Sequence, residues 1–261
     1  MSETGYLLAN RTDTAAVRLE ALAALFDPWT FRHLEARGLA EGWRCWEVGA
    51  GGPSVARWIA GKVGPGGRVV ATDLDVSRIA PAAGLEVLRH DVARDPAPPG
   101  PFELIHARLV LVHVAERAAA LASMIGALRP GGWLVIEDAD PALQPLLCLE
   151  DATPEHALAN RLRRGFRELL VERGAELAFG RTLPRLLREA GLAEVGADAY
   201  FPIAHPALAP LERATIEHVA PQLIATGRAT ADDIARHLAA VDAGRLDLAT
   251  SPLCSAWGRR V

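Results

Sequence analysis

The chain has 261 residues, half of them hydrophobic and 23% charged, with a net charge of −4 at pH 7. That is an ordinary globular balance, enough for one large domain or a core with a substantial insertion, and it lacks the basic excess of a nucleic-acid binder. Neither an apolar run of transmembrane length nor a signal peptide before Arg11 is read, and Cys45, Cys148 and Cys254 stand far apart without metal-type spacing, so a reducing cytoplasm is expected. Lys62 is the single lysine and alanine is abundant, as in a GC-rich bacterial genome. Arginine clusters are therefore weak functional signals here.

In chain order, residues 1–40 read as helical. Thr12 or Asp13 would cap a first helix carrying Val17, Leu22, Leu25 and Phe26. Asp27-Pro28 then signals a second helix that stops at Gly38. Trp43 to Val48 is a short buried strand, followed by the turn Gly49-Ala50-Gly51-Gly52 and a helix from Ser54 with Val55 and Ile59 on one face. A ligand over that helix start would meet bare main chain and unpaired N–H groups. Arg68 to Asp73 is a second strand and Leu85 to Asp91 a third, both ending in a carboxylate. Asp75 would cap a short helix after the second strand. Phe102 to Ala107 is a fourth strand, Glu116 to Leu128 a helix, and Trp133 to Asp138 a fifth strand after Arg129-Pro130-Gly131-Gly132. Later come a helix from Thr153-Pro154 to Gly174, one capped by Thr182, a strand over 194–203, helices over 208–225 and 231–241, and a last strand over 252–259. Strands alternating with helices predict an α/β fold with a doubly wound, mostly parallel sheet, whose ligands sit beyond the carboxyl ends of the strands.

Glu47 before Gly49-x-Gly51, Asp73 about 20 residues later, Asp91 at the third strand end and Leu128-Arg129-Pro130-Gly131-Gly132 before the fifth strand form one pattern. It resembles the class I S-adenosylmethionine (SAM) dependent methyltransferases, small-molecule type, from about Trp43 to Asp138. Glu103 stands where that family more often has Asp. The resemblance implies a seven-stranded, Rossmann-like methyltransferase sheet with N-terminal helices and an inserted helical lid. Its parts would be a helical segment over 1–40, a SAM-binding core over 41–140, and a remainder over 141–261 with insertions at about 141–175 and 206–242.

The same resemblance assigns cofactor roles. Gly49, Ala50 and Gly51 would pass beneath the methionine part of SAM and Glu47 would help hold its amino-acid end. Asp73 would accept the ribose hydroxyls with Leu74 against the adenine or ribose, Asp91 and Val92 would meet the adenine, and Ala107 and Arg108 would line the site. Tyr6 would close over the cofactor. The rival dinucleotide fingerprint lacks its third glycine, because Ser54 stands there.

Methyl transfer from SAM, leaving S-adenosylhomocysteine, needs an acceptor held in line, and for a hydroxyl acceptor a base. His106 and Asp138 are the chosen candidates, over His113, Glu137, Asp140 and His205. Arg108 beside His106 disfavours a hard-cation site, so no metal is expected. The expected activity is methylation of an O, N or C atom of a small metabolite, in bacterial secondary metabolism, with neither nucleic acid nor membrane as partner. The arginine- and leucine-rich inserted helices are where a homodimer would form. Two alternatives stay open: a protein that uses the SAM pocket for a non-methylating reaction such as a cyclisation, or for sensing, and a more distant NAD(P) oxidoreductase.

Overall fold

The computed structural model describes residues 13–261; Tyr6 lies outside them. The chain forms two compact units. Of the described residues, the sheet unit comprises 27–139, 179–200 and 253–261, and the helical unit comprises 13–26, 140–178 and 201–252. The segments expected as insertions thus fall within the helical unit.

The sheet unit holds seven strands: β1 (Arg44–Val48), β2 (Arg68–Asp73), β3 (Leu85–Arg89), β4 (Phe102–Arg108), β5 (Leu128–Ala139), β6 (Ala193–Tyr200) and β7 (Leu253–Arg259). Their order is β3-β2-β1-β4-β5-β7-β6, with β7 antiparallel to both β5 and β6 and the other neighbours parallel. The expected mostly parallel, doubly wound sheet is therefore present. Val69, Val70 and Ala71 are all buried, as a strand covered on both faces requires. One face packs Trp46, Phe102, Ile105, Leu134 and Ile136 with Met124, Leu183 and Leu187. These last three come from α3 (Arg117–Ala127) and α5 (Leu183–Glu189). The other face packs Cys45, Val69, Leu104 and Val135 with Leu34, Val55 and Ile59. Leu34 belongs to α1 (Asp13–Ala36), and Val55 and Ile59 to α2 (Ser54–Val63).

Three local expectations are corrected. Asp27-Pro28 does not separate two helices: Pro28 lies inside the continuous α1. Leu25, Phe26, Thr30, His33 and Leu34 are all buried along it, and that face outweighs the one hydrogen bond a proline removes. The fifth strand begins earlier than Trp133, because Leu128 already pairs with Phe102 and the register then shifts at Arg129-Pro130-Gly131-Gly132. A Cβ on Gly132 would stand 2.9 Å from the Phe102 carbonyl oxygen, which explains a glycine at this approach of two backbones. Asp75 caps no helix; its Oδ1 accepts from the Ser77 N–H at 3.0 Å in a local turn.

The helical unit packs α4 (Pro154–Glu172), α6 (Leu208–Ala225) and α7 (Ala231–Asp242) around Leu162, Leu169, Ile216, Val219, Leu223 and Ile234. Thr153 caps α4 by accepting from the His156 N–H at 3.1 Å, with Pro154 in the first turn. Thr230 and Asp233 form a reciprocal capping box on α7. Among the described residues no helix is long and apolar enough to cross a membrane.

Candidate functional site

The strand order reverses between β1 and β4, the switch point at which an open α/β sheet leaves a crevice beyond its carboxyl ends. Val48 is level with Thr72 on one side and Ala107 on the other, and Arg108 is level with Glu137. The segments after Val48, Thr72 and Ala107 therefore leave the sheet together.

The glycine turn is built for close approach. Gly49 has φ +63°, and a Cβ there would lie 2.3 Å from Val110 Cγ2. The Ala50 N–H donates to the Thr72 carbonyl at 3.0 Å, and the Gly51 N–H donates to Asp73 Oδ2 at 2.8 Å. Asp73 Oδ1 accepts from the Asp75 N–H at 2.9 Å. Burial pushes the Asp73 pKa up, and the N–H groups of Asp75 and Gly51 oppose that shift. Two bonds occupy only part of a carboxylate's acceptor capacity, so Asp73 ties down the turn and can still receive a diol. Leu74, next to it, is 44% exposed and presents an apolar side chain at the strand end. At the end of β3, Asp91 Oδ1 accepts from the Ala93 N–H at 3.1 Å, and Val92 is buried in the core.

Beneath the strand ends lies a charged network that the sequence did not disclose. His106 is fully buried, with Nδ1 2.6 Å from Glu47 Oε2 and Nε2 3.4 Å from Glu137 Oε2. Two carboxylates on the two ring nitrogens are both satisfied only by an imidazolium. Burial pulls the His106 pKa down, but Glu47 and Glu137 outweigh it and raise it to about 9. Burial likewise pushes Glu137 up, and His106, Arg108 and Thr30 outweigh that and bring it to about 2. Glu137 also accepts from Ser255 Oγ at 2.7 Å and from the Thr30 hydroxyl.

From there the network runs outward to the glycine turn. Arg108 donates to Thr30 Oγ1 and to Asp27 Oδ1, each at 2.9 Å, and Asp27 Oδ2 accepts from the Ser54 hydroxyl. The residue that replaces the third glycine of a dinucleotide fingerprint thus has a partner of its own on α1. In the sequence Asp27 is only half of a helix-start signal with Pro28, and Thr30 and Ser255 carry no signal. Only the antiparallel register, which sets Ser255 opposite Glu137, brings that hydroxyl in.

Of the residues expected at the mouth, His106 is instead interior, with both nitrogens committed, and Ala107 is buried in β4. Glu47 is 2% exposed and directs Oε2 to His106. Asp138 is fully buried; Oδ2 accepts from the Leu111 N–H at 3.1 Å at the start of a short 3-10 turn, and Oδ1 has no protein partner. Burial raises the Asp138 pKa to about 8 against the pull of the Val112 and Leu111 N–H groups. Asp140 and His205 belong to the helical unit, where Asp140 Oδ1 accepts from the Leu143 N–H and His205 Nδ1 from the Ala207 N–H, each at 3.1 Å. His113 lies in the 3-10 turn. Among the described residues no group of three or more His, Cys, Asp or Glu side chains is arranged to hold a metal ion.

A family model described as a methyltransferase domain matches residues 17–195, more than half of the chain. The chain belongs to the methyltransferase domain family. Among curated relatives, the methyltransferase str3 of Strobilurus tenacellus is 34% identical over 129 residues, covering 45% of this chain and 43% of that protein. The ubiquinone/menaquinone biosynthesis C-methyltransferase UbiE of Ectopseudomonas mendocina is 27% identical over 129 residues, covering 46% and 50%. This methyltransferase-family chain therefore spans about half the length of the curated relatives it matches. Among solved structures, phosphoethanolamine N-methyltransferase 2 of Haemonchus contortus, in complex with S-adenosyl-L-methionine, superposes with a TM-score of 0.62. It shares 16% identity, over 97% of this chain and 58% of that one, and so it shows the fold.

Proposed function

We propose that this methyltransferase-family chain binds SAM at the carboxyl ends of β1, β2 and β3 and transfers its methyl group to an O, N or C atom of a small metabolite. The observation that carries the reading is the joined geometry of the turn and Asp73. Gly49 and Gly51 both take positive φ, and the Gly51 N–H is pinned by the same carboxylate that faces the strand end. When bound, SAM supplies an electrophilic methyl group on a sulfonium. The chain's own residues then have separate tasks. Asp73 accepts the ribose diol, Leu74 covers an apolar ring face, and Asp91 and Val92 stand where the adenine would be met. Glu47 is held by His106 at the amino-acid end, and Arg108 fixes α1 beside the turn.

His106 acts in this reading as a positioning cation, because neither nitrogen has a lone pair to offer while both carboxylates are bonded. Asp138, with a free oxygen and a pKa near neutrality, is the acid–base candidate. The name of the UbiE relative, a ubiquinone/menaquinone biosynthesis C-methyltransferase, favours a small metabolite as acceptor. A cytoplasmic location fits three buried free cysteines.

The test is incubation of the purified chain with methyl-labelled SAM and a panel of phenols, amines and quinols. The expected result is S-adenosylhomocysteine formed in equal amount with a labelled, small acceptor. A product formed while SAM remains unconsumed would replace methylation with the non-methylating reading.

A further inference from the structure

Helix α4 carries a polar stripe that the sheet-unit site does not use. His156, Asn160, Arg163 and Arg167 recur at spacings of four, three and four residues, so they share one face of the helix. Three of them bring buried nitrogens with no protein partner: His156 Nδ1, Asn160 Nδ2 and Arg167 Nε. The Asn160 side chain is 6% exposed, and its Oδ1 is already committed to the N–H groups of Leu147 and Cys148, at 2.9 Å each. Its amide nitrogen is therefore fixed in direction and can only donate. Arg163 meets Glu212 Oε2 at a loose 3.4 Å, and Glu212 gives its other oxygen to His237 Nε2 at 2.9 Å. Among the described residues no carboxylate pairs with Arg167, which faces the like charge of Arg163 and is desolvated.

Buried donors without acceptors are rare, and a run of them on one face leaves acceptors to be supplied from outside the protein. Two guanidinium groups preceded on the same helix face by an amide N–H suit an oxyanion, which takes several charge-assisted bonds at once. We infer that the Asn160–Arg163–Arg167 face of α4 binds the oxyanion group, carboxylate or phosphate, of a small-molecule ligand. If that ligand is the methyl acceptor, the inference rests on the methyl-transfer reading; as an oxyanion site it stands without it. Glu212, itself bonded to His237, already meets Arg163, which leaves Arg167 to take the ligand's charge.

The experiment is thermal denaturation of the full chain titrated with phenyl phosphate or with benzoate, against sodium chloride of matched ionic strength. Wild type is expected to show a saturable rise in midpoint with at least one probe, and the stronger probe identifies the head group. Arg167→Gln removes no protein hydrogen bond and relieves the repulsion with Arg163. It should keep or raise the midpoint without probe and weaken the probe's effect by about tenfold or more. Asn160→Asp keeps the Oδ1 acceptor for Leu147 and Cys148 while replacing the donor by an acceptor, and should lose the effect as well. A purely structural Arg167 gives the reverse: a lower midpoint and unchanged probe response. No saturable shift in wild type beyond that of chloride, or a response in Arg167→Gln equal to wild type, overturns the inference. A separate titration of wild type with S-adenosylhomocysteine reports on the cofactor reading alone, so failure of one is not mistaken for failure of the other.

Discussion

Asp73→Ala is expected to lower affinity for SAM and S-adenosylhomocysteine by about 100-fold or more while leaving the sheet intact. The side chain has two duties that no neighbour duplicates. It holds the Gly51 N–H at 2.8 Å and the Asp75 N–H at 2.9 Å, which sets the path of the turn. Its remaining acceptor capacity faces the place proposed for the ribose diol. Bonds to a charged acceptor are worth about 1.5–3 kcal/mol each, so losing two to the ligand accounts for the fold-change before the turn has moved at all. Asp73 sits at the end of β2 and is not in the hydrophobic clusters, so thermal stability should change little beside binding. Calorimetric titration of the variant checks this. Undiminished affinity would remove Asp73 from the site.

The second large effect concerns His106. His106→Ala should destabilise the protein by about 3–5 kcal/mol, because it leaves the Glu47 and Glu137 carboxylates buried and uncompensated. Replacing the histidine and both carboxylates together, as His106→Leu with Glu47→Gln and Glu137→Gln, should cost less than His106→Ala alone, since no buried charge then lacks a partner. The pH dependence has a definite sign. The folded pKa of His106 is raised from 6.5 to about 9, so its contribution is fully present below pH 6.5 and is lost as pH rises through about 9. The folded pKa of Glu137 is lowered from 4.5 to about 2, so its contribution is present above pH 4.5 and is lost as pH falls through about 2. The two contributions overlap fully between about pH 4.5 and 6.5. Asp138, raised to about 8, adds a decline up to about pH 8 that both proteins share, so urea unfolding should show a steeper loss of stability from pH 6.5 to 9 in wild type than in the triple variant. An equally steep decline in the triple variant would assign the whole effect to groups other than His106.

The sheet was legible in the sequence because its strands are near-continuous apolar runs punctuated by Gly, Pro and Asp, and Val69-Val70-Ala71 leaves little choice of environment. The turn at Gly49 and the carboxylate of Asp73 were legible because their chemistry depends on spacing along the chain. The network around His106 was not. Its members lie on α1, β1, β4, β5 and β7, and what joins them is sheet register and the packing of a helix across strands. His106 consequently read as a base at the mouth, when parallel pairing sets it level with Glu47 and one strand from Glu137. Pro28 misled for a related reason: a local breaker signal lost to a buried helix face whose partners are far away in sequence. The α4 stripe hid in another way. Arginine is the default cation in this composition, and only burial without partners separates Arg167 from the arginines exposed to water.

The central claim is that the Gly49–Gly51 turn with Asp73 forms an adenosyl-cofactor pocket. The most direct test is isothermal titration of the wild-type chain with S-adenosylhomocysteine and, in parallel, with NADH and NADPH. Saturable, one-to-one binding of S-adenosylhomocysteine with no heat from either nicotinamide cofactor is the predicted result. Binding of NADH or NADPH in its place, or of none of the three, would contradict the account.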